Sequence, residues 1–188
     1  VNMDVAVVYL GGQYNHLIAR RVRELGANPM LLDQSALSRA SYDCIIAGGG
    51  PHRLPGDLEA LSMLADHVAR ISAPFLGICL SHQLLALVYG GRVAASLTPE
   101  YGGVDVEIIE PDELFEGLPG RIRVWESHND EVVDMPRGFQ LLASSRTCRI
   151  QAMKHGSKPL YGVQFHPEVR HTQHGLRILS NFLKTCRR

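Results

Sequence analysis

Several functional classes are excluded by what this sequence lacks. Its 188 residues carry 19 Lys+Arg against 19 Asp+Glu, so the chain has no net charge, and its pI is about 7.3. A balanced chain has no global field with which to gather nucleic acid or an anionic membrane. No apolar run approaches the roughly 20 residues of a membrane span. The opening Val1-Asn2-Met3-Asp4 lacks the charged-then-apolar pattern of a secretory signal. No nucleic acid and no membrane are therefore expected as partners, and the cytoplasm is the expected location. Cysteine is scarce: Cys44, Cys79, Cys148 and Cys186 are widely spaced, and none pairs with another as Cys-x-x-Cys. A disulfide framework is not expected in a chain able to bury a core of this size. Sixteen arginines against three lysines are scattered, and no function is read from them.

The remaining composition, 45% hydrophobic and 20% charged, is that of a globular protein, and the length suits one domain over residues 1–188. The first half alternates two patterns. Short apolar runs at 5–10, 29–32, 43–47 and 74–78 read as buried strands. Between them, 15–25, 57–71 and 81–89 read as helices with one apolar stripe each. Such alternation predicts an α/β fold with a parallel sheet covered on both faces. Short strand candidates at 104–109, 122–125, 139–143, 150–153 and 160–165 suggest antiparallel hairpins added in the second half. A closing helix over 172–186 is predicted to turn Leu176, Leu179, Phe182 and Leu183 inward.

Ligands bind such sheets beyond the carboxyl ends of strands. Three strand ends there are rich in glycine: Gly11-Gly12, Gly48-Gly49-Gly50 and Gly77-Ile78-Cys79. Gly77-Ile78-Cys79-Leu80-Ser81 has the form of a nucleophile elbow, with small residues flanking a nucleophile between strand and helix. The N-terminus of the following helix would favour a thiolate at Cys79. The N–H of Leu80 would be placed for an oxyanion, with a second donor available from the Gly49-Gly50-Pro51 turn. Gly162-Val163-Gln164-Phe165-His166-Pro167-Glu168 supplies the other parts. A thiol nucleophile needs a base, and the base needs a group that fixes its tautomer and stabilises its cation. His166 and Glu168 can fill those roles. For His-Pro-Glu alone, a surface His beside a solvated Glu would be the simpler reading. His82 follows Cys79 closely but would face away from the sulfur. A metal bound by His166, His171 and His174 is not expected, since nothing completes the set.

Together these segments resemble the class I (triad-type) glutamine amidotransferases, from about Val5 to Phe182. The resemblance implies a flavodoxin-like sheet and hydrolysis of the glutamine side-chain amide. Cys79, His166 and Glu168 would be catalytic, with Gly50 and Leu80 as the oxyanion hole. Gln83, Ser127 and His128 would line the substrate pocket, His128 by packing rather than by acid–base work. Where this chain has Ser81, the family usually has Gly; Ser is small, can cap a helix's first turn and reads as tolerated.

Glu100-Tyr101-Gly102, the segment from Ser127 to Val132 and His171-Thr172 resemble the glutaminase branch of the GMP synthases. That branch implies that the partner is a separate synthetase (ATP pyrophosphatase) chain and that glutamine is the small-molecule substrate. ATP and magnesium would sit on the partner, with no cofactor in this chain. Residues 127–131 would form a loop at the pocket edge, with Asp130 and Glu131 facing the partner. A chorismate-using synthase (anthranilate or aminodeoxychorismate) is the alternative partner. A flavin-binding module is the alternative from another class.

Overall fold

A computed structural model describes residues 2–187. Four parallel strands form where the apolar runs predict them: β1 (Asp4–Val8), β2 (Asn28–Leu32), β3 (Cys44–Ala47) and β4 (Phe75–Ile78); β1, β3 and β4 are buried, whereas β2, at the sheet edge, is not. Between and after them lie α1 (Asn15–Glu24), α2 (Ser62–Arg70) and α3 (Leu80–Val88). The predicted helix over 57–71 splits, because its first turn, Leu58–Leu61, is a 3-10 helix. The second half contributes β5 (Arg92–Ile108), β6 (Arg121–Asp134), β7 (Phe139–Ser145), β8 (Ala152–His155), β9 (Leu160–Val163) and α4 (Gly175–Thr185).

All nine strands belong to one sheet, in the order β2-β1-β3-β4-β9-β8-β7-β5-β6. β9 pairs parallel with β4, Phe75 opposite Leu160 and Ile78 opposite Val163, and on its other side forms a hairpin with β8, so it is both the fifth strand of the parallel core and the start of the antiparallel part. β8, β7, β5 and β6 then extend the same sheet with antiparallel pairing. Strand alternation divides the core between the two faces. Val5 and Val7 pack with Ile18, Val22, Ile178, Leu179 and Phe182, from α1 and α4. Ala6 and Val8 pack with Leu64, Val68, Leu84 and Leu85, from α2 and α3.

Several expectations need correction. β5 and β6 are far longer than the strands foreseen, and residues 127–131 are not a loop but part of β6. Leu176 is exposed; Ile178 occupies the inward position on α4. Cys44 and Cys186 form a disulfide, their Cα atoms 5.7 Å apart, joining the start of β3 to the C-terminal end of α4. They lie 142 residues apart in sequence, so no spacing pattern could reveal the pair.

His82 is fully buried on the first turn of α3, against Gly162 of β9. Neither ring nitrogen has a hydrogen-bond partner. Burial pushes its pKa down to about 3, only partly offset by the nearby Ile150 and Gly162 backbone. The unfolded chain protonates this ring below about pH 6.5 and the folded chain does not. The stability it allows is therefore complete above pH 6.5 and declines as pH falls toward 3. Its loss by pH 4.5 should be about 2–3 kcal/mol. Urea unfolding between pH 7 and 4.5 should show a flatter stability profile in His82→Leu than in the wild type. Identical slopes would contradict a neutral buried ring.

Candidate active site

The carboxyl ends of β1, β3, β4 and β9 converge on Cys79. The residue occupies the junction between β4 and α3 with φ 54° and ψ −105°, a left-handed φ that a non-glycine residue rarely adopts. Cys79 N donates to Val163 O at 2.8 Å, tying the turn to β9. The turn closes tightly: a Cβ on Gly77 would lie 2.6 Å from Ser81 O, so only glycine fits there. Besides His166, two polar groups reach the sulfur. Its S–H points to Ser127 O at 3.7 Å, and Gln164 Nε2 donates to it at 3.5 Å.

β9 ends one residue before Gln164, and the chain then carries His166 and Glu168 beneath the end of β6. His166 N donates to Trp125 O at 3.0 Å, and Thr172 Oγ1 donates to His166 O at 2.7 Å. Thr172 Oγ1 also accepts from Trp125 N at 3.0 Å. The backbone that presents the imidazole is thus held from both sides. Its Nδ1 is 3.0 Å from Glu168 Oε2, which leaves Nε2 for the sulfur. Tyr14 meets the ring edge-on, the centroids 5.0 Å apart. Burial opposes a charge on His166, but the Glu168 carboxylate and the Cys79 sulfur outweigh it and hold its pKa well above the usual imidazole value. The pair is not the surface arrangement that His-Pro-Glu alone would suggest: His166 is 4% exposed and Glu168 1%.

Two clefts meet at Cys79. One is lined by Gly11, Gly12, Tyr14, Gly49, Ser127 and His166, among others. The other is lined by Gly50, Leu80, Gln83, Tyr101, His128 and Asp130, among others. The sequence-derived candidates Gly50, Leu80, Gln83, Ser127 and His128 therefore do gather around the sulfur. Gln83 Nε2 donates to Asp130 O at 2.9 Å and to Gln164 Oε1 at 3.2 Å. Asp130 is less open than a partner-facing residue would be. Its side chain is 8% exposed and takes a two-pronged bond from Arg53 at 2.6 and 2.7 Å. Glu131 is half-buried. The exposed member of this group is Arg53.

Ser81 does not cap α3. It is fully buried, and its hydroxyl donates to Gly48 O at 2.7 Å. Asn15, also missed, is buried at the start of α1; its Nδ2 donates to Gly12 O at 3.1 Å and to Gly49 O at 3.4 Å. A polar residue at a helix start, just past a glycine-rich strand end, was the available signal.

Behind Ser127 lies a buried polar floor. Glu100 accepts from His128 Nε2 at 2.7 Å, Gln151 Nε2 at 2.9 Å, Ser145 Oγ at 2.8 Å and Thr147 Oγ1 at 2.6 Å. Burial works against its charge, but these donors hold its pKa down to about 2. Gln151 Nε2 also donates to Glu126, whose pKa is raised well above the usual carboxylate value, first by burial and then by Glu100. Glu100, His128 and Cys148 bring potential ligand atoms within 4.8 Å of one another. The Glu100 oxygens are already engaged by four donors, and the floor reads as a hydrogen-bonded support. His171 stacks on Trp125, and His174 sits exposed at the start of α4.

A cysteine on a strand-to-helix elbow, backed by a buried His–Glu pair, is the arrangement of a triad-type thiol hydrolase. The sequence matches the family model Glutamine amidotransferase class-I over residues 6–186, and the chain belongs to that family. Within it, the chain is similar to proteins named as a subunit of glutamine-hydrolyzing GMP synthase. That of Sulfurisphaera tokodaii is 46% identical over 99% of this chain and 100% of its own length. That of Archaeoglobus fulgidus is 44% identical over 99% and 100%. A solved structure from Thermoplasma acidophilum, assigned to the same GMP synthase subunit, is 36% identical, with a TM-score of 0.93 over 98% of this chain and 94% of that one.

Only two cysteines, Cys79 and Cys148, are free thiols among the described residues. Burial, then the surrounding carboxylates, pushes the Cys148 thiol far up. An electrophilic glutamine analogue should therefore modify Cys79 alone within the time that inactivates the protein. Peptide mapping checks this, and an adduct on Cys148 would overturn the assignment.

Proposed function

We propose that this chain hydrolyses the side-chain amide of glutamine at Cys79 and passes the ammonia to a separate ATP-dependent synthetase subunit that converts XMP to GMP. The observation that carries the reading is the strained Cys79 at the N-terminus of α3, facing an imidazole whose other nitrogen is held by Glu168. The names of its full-length relatives support the choice of partner. ATP and magnesium belong on that partner, and the cytoplasm is the location this chemistry suits.

The Cys79 thiol gives its proton to His166 Nε2, and the sulfur attacks the amide carbon, forming a C–S bond. The carbonyl oxygen takes the negative charge and is met by the N–H groups of Gly50 and Leu80. Leu80 is the first residue of α3, where a backbone N–H has no acceptor within the helix. His166 Nε2 gives its proton to the departing nitrogen, so the C–N bond breaks and ammonia leaves. The same nitrogen then takes a proton from water as it attacks the thioester, releasing glutamate and restoring the thiol. Glu168 holds Nδ1 throughout, so the cation never forms unpaired. Gln83, Ser127 and His128 shape the cleft that receives the amino-acid end of glutamine.

Ammonia released into neutral water is protonated and no longer nucleophilic. Hydrolysis without an acceptor therefore wastes glutamine, and the isolated chain should be slow. Glutamate release should rise more than about tenfold when synthetase, ATP, magnesium and XMP are all present. Leaving out each component in turn tests this. A basal rate equal to the full rate would refute partner activation. Stimulation by a chorismate-using synthase instead would reassign the partner.

His166→Ala should lower kcat by about 10²–10⁴-fold, since both proton transfers pass through its ring. Glu168→Gln, which keeps the shape and loses the charge, should cost less. Steady-state kinetics at saturating glutamine decides. A His166→Ala protein of normal rate would move the base elsewhere.

A further inference from the structure

The glycine turn after β3 is gripped from behind by two side chains that line neither cleft. Ser81 Oγ donates to Gly48 O at 2.7 Å, and Asn15 Nδ2 donates to Gly49 O at 3.4 Å. Ser81 is 0% exposed and Asn15 2%. The turn they hold does line the clefts, through Gly49, Gly50 and Pro51.

A trans peptide holds its C=O and the following N–H in one rigid plane, pointing in opposite directions. Fixing Gly48 O therefore fixes the direction of Gly49 N–H, and fixing Gly49 O fixes that of Gly50 N–H. Glycine has no side chain to hold either plane, and its backbone is the freest of any residue. An oxyanion donor must be aligned before the reaction, so something else has to supply the rigidity.

We infer that Ser81 and Asn15 are positioning residues, which hold the successive Gly48–Gly49 and Gly49–Gly50 planes so that the Gly50 N–H faces the oxyanion formed at Cys79. The inference rests on the glutaminase reading of the site. It gives a role to the serine that stands at 81 where relatives in the family usually have glycine. The hydroxyl spans from the second residue of α3 to the end of β3, coupling the elbow that carries the nucleophile to the turn that carries the donor. Asn15 makes the equivalent link from α1 and also ties in Gly12 at 3.1 Å.

The test separates a step that builds an oxyanion from one that does not. Glutamine hydrolysis forms a tetrahedral oxyanion, whereas alkylation of the same sulfur by iodoacetamide displaces iodide and forms none. Both are measured for wild type, Ser81→Ala, Ser81→Gly and Asn15→Ala, with the synthetase, ATP, magnesium and XMP present for hydrolysis. Loss of an oxyanion donor costs about 10²–10³ in kcat, and misalignment should cost about tenfold or more. The expected result is that fall in kcat with KM and the Cys79 alkylation rate held within about twofold. Should Ser81→Ala not fold, Ser81→Gly and Asn15→Ala carry the same expectation. Unchanged kcat in the folded variants would overturn the inference. So would alkylation falling in step with kcat, because the thiol rather than the donor would then be disturbed. Failure of the glutaminase reading itself has a different signature: the wild type with its partner components would release no glutamate, or Cys79→Ala would retain hydrolysis.

Discussion

The turn from β4 into α3 is the constraint on which the rest of the site depends. Cys79 sits at φ 54°, and residues held in such backbone regions cost of order 1–3 kcal/mol and persist only where surrounding structure over-determines them. Here the over-determination can be named. Gly77 lets the first turn of α3 close onto the strand, Val163 O takes the Cys79 N–H, and Gln83 N bonds back to Cys79 O at 3.1 Å. Leu80, Leu84 and Leu85 anchor the helix in the apolar core. Packing energy at a distance from the sulfur thus offsets strain at it. What the strain secures is a sulfur beyond the strand end, between an imidazole and two clefts.

The second half of the chain has a different task, which is to bring β6 over that sulfur. β6 keeps strict alternation, but its inward positions after Val124 are Glu126, His128 and Asp130. Polar groups can occupy a core only when their bonds are met. Glu100 on β5, Ser145 on β7 and Gln151 just ahead of β8 meet most of them, so the antiparallel strands act as a scaffold of acceptors and donors for one strand. Ser127, flanked by that floor, then presents its carbonyl to Cys79.

This explains what could and could not be read from residues alone. β1, β3 and β4 are continuous apolar runs ended by glycine, a pattern with few other solutions, and Cys79, His166 and Glu168 stand on motifs of fixed form. β6 looked like a short strand and a loop because hydropathy treats Glu-Ser-His-Asn-Asp as exposed, whereas alternate members of that run are buried. The first part of β5 fails for a similar reason: Leu97 is wholly exposed and Glu100 is buried. Leu176 and Ile178 compete for one face of α4, and composition cannot choose between them. Ser81 was legible only as a small residue, because its partner, Gly48, is 33 residues away.

The same floor also decides which carboxyl groups near the nucleophile are charged. Glu168 and Glu126 are both almost completely buried, yet they keep opposite company. Glu168 faces His166, whose positive charge it stabilises, and it approaches the centre from the imidazole side. Glu126 meets Glu100 and Gln151, and the Cys79 sulfur lies near enough that their charges oppose one another. Two carboxyl groups so close cannot both ionise cheaply, and Glu100, with four donors, is the one that does. Burial first, and the Glu100 charge second, push the Glu126 pKa well above the usual carboxylate value. Coulomb repulsion is reciprocal, so a protonated Glu126 is also a negative charge withheld from the side of the sulfur that has no imidazole. The donors around Glu100 thus serve the chemistry at second hand: by settling the charge of Glu100, they add to the burial that disfavours a charge on Glu126 beside the Cys79 sulfur.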